Sequence, residues 1–165
     1  MTNPQVYVFR GAEISDNAEP LHYTQCGLDD IFLINGFRRL QVGGEESVAI
    51  QEVEGLQKAI ALNVVRNKAL LNGKEVRFLR KLLDFTQAEI GLWLGYTSQQ
   101  VARWEKGEGK INPSADKLLR VIYTASFHEK GLNILETIRE LAELDAQTNE
   151  RQFFRETDEG WKAAA

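Results

Sequence analysis

Between Thr86 and Gly107 the chain carries start and stop signals so close together that only short helices at a sharp turn can satisfy them. Thr86 and Glu89 form a T-x-x-E capping box that opens a helix. Gly95 stops that helix after about two turns, because glycine tolerates the left-handed backbone of a helix C-cap. A further helix begins at Thr97 or Ser98 and runs through Glu105 to Gly107. Two short helices meeting steeply need a small residue where their backbones approach, and Gly91 stands there. Ile90, Leu94, Tyr96, Val101 and Trp104 supply the apolar side chains that would lock the pair, which makes Trp104 a core residue.

The flanks extend the same pattern. Asn72 with Glu75 predicts a helix start, and Val76, Leu79, Leu82 and Leu83 give that helix an apolar face ending near Asp84. On its other side, Arg77, Arg80 and Lys81 read as a solvated face, with Arg80 and Asp84 at i,i+4 spacing. Beyond Lys110-Ile111-Asn112, Pro113 suits the first turn of a helix bearing Leu118, Leu119, Val121, Ile122 and Tyr123.

With the apolar residues assigned to the lock, the polar ones collect on one face: Ser98, Gln99, Gln100, Arg103 and Lys106. The stretch TQAEIGLWLGYTSQQVARWEKG resembles the helix-turn-helix of the phage-repressor and Xre class. In that class glutamine opens the second helix and a W-E-x-G element closes the third, here Gln87 and Trp104-Glu105-Lys106-Gly107. The resemblance implies that the N-terminal part of the helix 98–106 enters the major groove. Gln99 and Gln100 could then read adenine and Arg103 guanine, while Gln87, Thr97, Ser98 and Lys106 lie where base edges and phosphates are met. The competing reading is an ordinary solvated helix face.

Outside this region the signals are weaker. Residues 1–71 show a polar stretch, Ala12 to Pro20, and then short alternating runs around Ile31–Ile34, Leu40 with Val42, and Val48 with Ile50, which predict two to four short strands. Val53, Leu56, Ile60 and Val64 fall on one face of a helix ending near Asn67. In residues 124–165, Ile134, Leu135, Ile138, Leu141 and Ala142 form another helical stripe, which could pack on its own domain or on a second copy. Phe153, Phe154 and Trp161 make the tail too aromatic for a solvated end, so it should dock, the N-terminal segment being one candidate surface. The expected class is α+β and predominantly helical. A small sheet-plus-helix unit (1–71) precedes a four- to five-helix repressor-type helix-turn-helix domain (72–123), followed by a C-terminal helix and aromatic tail (124–165).

Charge bears on the partner. The formal net charge of −4 argues against a nonspecific polybasic binder. By segment, residues 72–123 carry 9 basic and 6 acidic side chains, net +3, against −3 for 1–71 and −4 for 124–165. The acidic ends should repel phosphate unless they point away from the groove, leaving specificity to a few base-reading side chains.

A small N-terminal unit ahead of such a domain is also similar to the MqsA-type antitoxins, whose N-terminal unit binds zinc through paired C-x-x-C motifs. Here Tyr23-Thr24-Gln25-Cys26-Gly27 resembles one knuckle with its first cysteine replaced, and His22 plus Cys26 offer at most two of four ligands, so no metal site is expected. Cys26 is the single cysteine, which excludes an intrachain disulfide and fits a reducing compartment. Neither a membrane-spanning apolar run nor a signal-peptide pattern is present, so the expectation is cytoplasmic. His22 and His128 fall in different units and no P-loop, G-x-S-x-G or H-E-x-x-H spacing occurs, so neither an enzyme nor a cofactor is expected. Two functions follow as expectations. One is a sequence-specific transcriptional regulator, a repressor binding double-stranded DNA as a homodimer. The other is an antitoxin that neutralises a toxin encoded nearby through residues 1–71.

Overall fold

The computed structural model describes residues 5–9, 16–127 and 151–164. It is an α+β protein, as the residue patterns predict. In chain order the elements are β1 (Gln5–Phe9), β2 (Asp16–His22), β3 (Ile31–Asn35), β4 (Phe37–Val42), β5 (Glu45–Gln51), α1 (Val53–Asn67), α2 (Gly73–Leu82), α3 (Gln87–Leu94), α4 (Ser98–Glu105), α5 (Pro113–Phe127), β6 (Gln152–Thr157) and β7 (Gly160–Ala164). The chain forms two compact units, Met1–Ile60 with Asn149–Ala165, and Ala61–Thr148. Their boundary lies within α1 rather than at 71/72, and the tail belongs with the N-terminal residues. The helical stripe expected around 134–142 lies outside the described residues.

The first unit is built from two sheets, ordered β1-β5-β4 and β2-β3-β6-β7. Five strands occupy residues 5–51, one more than the upper expectation. β1 and β2 both lie outside the runs that predicted strands, and β2, which overlaps the polar stretch, shifts its register on β3 between Asp16 and Leu21. β3 alternates as a half-buried strand should, with Ile31, Leu33 and Asn35 all buried. Gly36 (φ +74) takes the chain from β3 into the other sheet, where a side chain would be both strained and in collision with the Trp161 ring, 2.6 Å from an added Cβ.

The aromatic tail is a hairpin rather than a loose end. β6 pairs parallel with β3, and β7 antiparallel with β6. Asn35 serves as a clamp: its Nδ2 donates to Glu156 O at 3.2 Å and its Oδ1 accepts the Glu156 N–H at 2.6 Å. Phe154 is fully buried, and the Trp161 Nε1–H donates to Gln51 O at 3.1 Å. Burial, and secondarily the charge of Glu52, push the Glu156 carboxyl above its ordinary range.

The second unit is helical in its described part, and its core includes Val64, Val65, Val76, Leu79, Ile90, Val101, Trp104 and Leu119. Of the apolar residues that α5 bears, Leu118 is exposed, whereas Arg120 next to Leu119 is completely buried. The Arg120 guanidinium donates to Val65 O, to Lys68 O and to Asp116 Oδ1, and the same carboxylate oxygen accepts the Leu71 N–H at 2.9 Å. An ion pair one turn apart on α5 thus satisfies the main chain where α1 ends and the path to α2 begins. Buried charges are tolerated when paired and hydrogen-bonded in this way. Among the described residues, no helix is long and apolar enough to cross a membrane.

Candidate nucleic-acid interface

The capping residues set where α3 and α4 begin. Thr86 Oγ1 accepts the Glu89 N–H, and Glu89 Oε2 accepts from both the Thr86 N–H and its hydroxyl. These bonds hold the Glu89 carboxyl below its ordinary pKa range. At the other end Gly95 has φ +79, and the Tyr96 N–H donates to Gly91 O at 2.8 Å. An added Cβ on Gly91 would lie 2.7 Å from Tyr96 O, so the close approach inferred for this residue is present. Thr97 then caps α4, its hydroxyl accepting the Gln100 N–H at 3.2 Å. Helix, three-residue turn and helix therefore follow from local hydrogen bonds and two glycines.

On the inner side of α4, Val101 and Trp104 are buried, with Tyr96 edge-on to Trp104 at a centroid distance of 4.8 Å. A second close approach lies at the start of α2. A Cβ on Gly73 would sit 2.0 Å from Trp104 O, a contact that the spacing around Asn72 and Glu75 did not reveal.

Arg80 is not part of a solvated face and does not pair with Asp84. Its Nε donates to Glu105 Oε1 at 2.6 Å and its Nη2 to Oε2 at 2.9 Å, while Nη1 donates to Phe85 O at 2.7 Å. A bidentate carboxylate from α4 outcompetes a single i,i+4 partner, because two parallel charge-assisted bonds match the guanidinium fork. Gln87 Nε2 donates to Glu105 Oε2 as well, at 2.9 Å. One carboxylate thus ties α2, α3 and α4 together. Burial works to raise the Glu105 pKa, but the hydrogen bonds from Arg80 and Gln87 and the charges of Arg80 and Arg77 outweigh it and hold it below its ordinary range.

The residues expected to meet DNA fall into two groups. Ser98, Gln99, Arg103 and Lys106 are exposed, Gln100 is half-buried, and Gln99, Arg103 and Lys106 recur at i, i+4 and i+7 along α4. Arg103 Nε lies 3.9 Å from Glu108 Oε2, both side chains being more than half exposed, an ion pair that water and salt screen. Gln87 and Thr97 instead hold helix ends together through their side chains. Leu92 (81% exposed) and Trp93 (60% exposed) stand out on α3, with Phe85 5.8 Å from the Trp93 ring, and the sequence reading assigned neither.

In the first unit, the residues compared with a zinc knuckle serve the β2–β3 connection. His22 stacks on Phe32 at 4.6 Å, with its Nε2 2.6 Å from Asp29 O. The Cys26 Sγ–H donates to Tyr23 O at 3.6 Å. Burial pushes the Cys26 thiol up to about 11 and the Tyr23 hydroxyl up to about 12, so Cys26 is a neutral thiol at neutral pH rather than a thiolate nucleophile.

Comparison of the chain with protein-family models, with curated proteins and with solved structures found no match.

Because the folded-state pKa of Glu105 is depressed, its contribution to stability is fully present above the unfolded value of about 4.5 and is lost as pH falls through the folded value. Glu105→Ala should lower stability at neutral pH by on the order of 3 kcal/mol, since it leaves Arg80 without its partner. The deficit should shrink on acidification. Urea unfolding of both proteins across the acid range measures it, and an equal deficit at every pH would contradict the assignment.

Proposed function

We propose that this chain is a sequence-specific DNA-binding regulator, a repressor that reads the major groove of double-stranded DNA with α4 and acts in the cytoplasm as a homodimer, without catalysis or a cofactor. The observation that carries this reading is the division of α4 into two sides. Val101 and Trp104 are buried, while Ser98, Gln99, Arg103 and Lys106 face outward and Gln100 is half-buried between them. An amphipathic surface helix needs only a soluble outer face. This one presents glutamine and arginine, the side chains whose paired hydrogen-bonding groups match the major-groove edges of adenine and guanine.

The local charge agrees with that role. Residues 72–123 carry the chain's net positive segment, and the contact of Arg103 with Glu108 is a screened surface pair that costs little to give up on meeting a base. Anchoring of α4 by Glu105 keeps the reading side chains on a rigid support, which reduces the conformational entropy lost on binding. The likeness of this segment to repressor-type helix-turn-helix sequences supports the same reading.

Gln100→Ala combined with Arg103→Ala should weaken binding to a cognate site by roughly 30-fold or more, given about 1–3 kcal/mol for each lost bidentate contact, and should leave nonspecific binding much less affected. Titration of the protein's own promoter DNA and of a scrambled duplex measures both, and an unchanged preference would rule out α4 as the reading helix. The separate sheet unit supports a second reading, an antitoxin whose first unit neutralises a protein encoded beside it. Co-purification of that neighbour with the full chain is the expected result, and no association would remove this reading.

A further inference from the structure

We propose that docking of the C-terminal hairpin, β6 with β7, is proton-linked through Glu156, whose carboxyl is buried as the neutral acid in the docked hairpin and gives up its proton when the hairpin lifts from β3. Asn35 sets the position. The β3–β6 ladder ends with Leu33 opposite Phe154, and the Asn35 side chain then takes over from the main chain, donating to Glu156 O at 3.2 Å and accepting the Glu156 N–H at 2.6 Å. Side chains alternate along a strand, so fixing residue 156 there turns its carboxyl to the same buried face as Phe154. Trp161 stands opposite it on β7, and Gly36 lies against both. An added Cβ on Gly36 would come 3.2 Å from Glu156 Cβ and 2.6 Å from the Trp161 ring. Glu156 is only 5% exposed, and its Oε2 is closed to water and has no hydrogen-bond partner among the described residues.

The neighbours decide which charge state this oxygen can hold. The two polar side chains beside it are engaged with main chain, the Asn35 amide with residue 156 itself and the Trp161 Nε1–H with Gln51 O at 3.1 Å. Where β5 passes into α1, Glu52 takes a left-handed backbone (φ +47), and its negative charge bears on Glu156. On β2 the residue opposite Asn35 is Asp16. α1 reaches the hairpin at Gly55, beside the Trp161 ring, and its charged residues on either side, Glu54 and Lys58, are exposed. Arg155 and Lys162 pair with each other across β6 and β7, one residue out of phase with Glu156, and so belong to the other face of the sheet. Burying an unpaired charge costs far more than burying a neutral polar group. A proton on Glu156 removes both that charge and its repulsion by Glu52, so the docked hairpin holds the proton more tightly than the unfolded chain does. With the folded-state pKa raised above the ordinary value of about 4.5, the stabilisation that the proton gives to docking is fully present below that value. It is lost as pH rises through the folded one. The sign is opposite to that of Glu105, which belongs to the other unit.

The proposal concerns the first unit alone and does not rest on the reading of α4. Native-state hydrogen exchange of the full chain tests it, followed by NMR at the Glu156 main-chain N–H and the Trp161 indole N–H, each rate being divided by its intrinsic rate at that pH. Glu156→Gln keeps the size of the side chain and cannot ionise. Its protection of both protons relative to wild type should be roughly threefold or more greater at about pH 7.5 than at about pH 4. The Lys106 N–H, bonded to Ala102 O in the helical unit, should keep its wild-type protection at both. A glutamine amide that fits the site poorly changes protection by a constant factor and leaves this comparison intact. A second measurement needs no change at residue 156. Carboxyl-carbon NMR titration of the wild type should place the Glu156 midpoint above the ordinary glutamate range, and Glu52→Gln should lower it. A wild-type midpoint inside the ordinary range, or a ratio of variant to wild-type protection that is the same at every pH, would overturn the proposal.

Discussion

The geometry of α2, α3 and α4 depends on one carboxylate. Glu105 stands at the end of α4 and receives both arms of the Arg80 fork from α2 and the side-chain amide of Gln87 from α3. A buried charge is stable only when it is paired and its remaining hydrogen-bonding capacity is used, and here two other helices supply what one residue needs. Around this polar centre the packing is tight, because Gly73 and Gly91 let main chain approach main chain where even a methyl group would collide with a carbonyl oxygen. A polar anchor and two glycine contacts therefore fix α4 from one side, and its opposite side is left to carry glutamine, arginine and lysine into solvent.

What was legible in the sequence was local. The capping residues Asn72 and Thr86, the stop at Gly95 and the limits of α1 could all be read because each depends on neighbours within about one turn. Gly91 was legible because a known motif needs a small residue there. The misses involve distance along the chain. Arg80 was assigned to Asp84, four residues away, when its partner lies 25 residues away on another helix. The tail showed its apolar aromatics but not its strands, since β6 depends on pairing with β3 and on a clamp from Asn35 across 121 residues. Arg120 stands between apolar neighbours, and the residue pattern assigned it no role. It is buried because the chain between α1 and α2 presents carbonyl groups that only a multiple donor can satisfy.

The candidate site was legible to a similar degree. The polar face of α4 follows from periodicity alone, and the exposure of Ser98, Gln99, Arg103 and Lys106 agrees with it. Gln87 and Thr97 show the limit of that approach, because a polar side chain at a helix start has two uses, capping or pairing within the fold and contact with a ligand. The pattern of residue types is the same in both cases, and the hydrogen bonds to Glu105 and Gln100 show the first use without bearing on the second. The net charge of −4 has a similar lesson. It describes the whole chain, whereas a nucleic acid would meet the field of one segment, which is positive.

The central claim is that α4 selects particular DNA sequences. Genome-wide mapping of the DNA bound by the full chain tests this most directly, because it returns sites, spacing and sequence together. The account predicts a limited set of discrete sites that share a two-fold related motif, with half-sites about one helical turn apart or a multiple of it. Binding spread evenly along the DNA, or no enrichment above background, would contradict it.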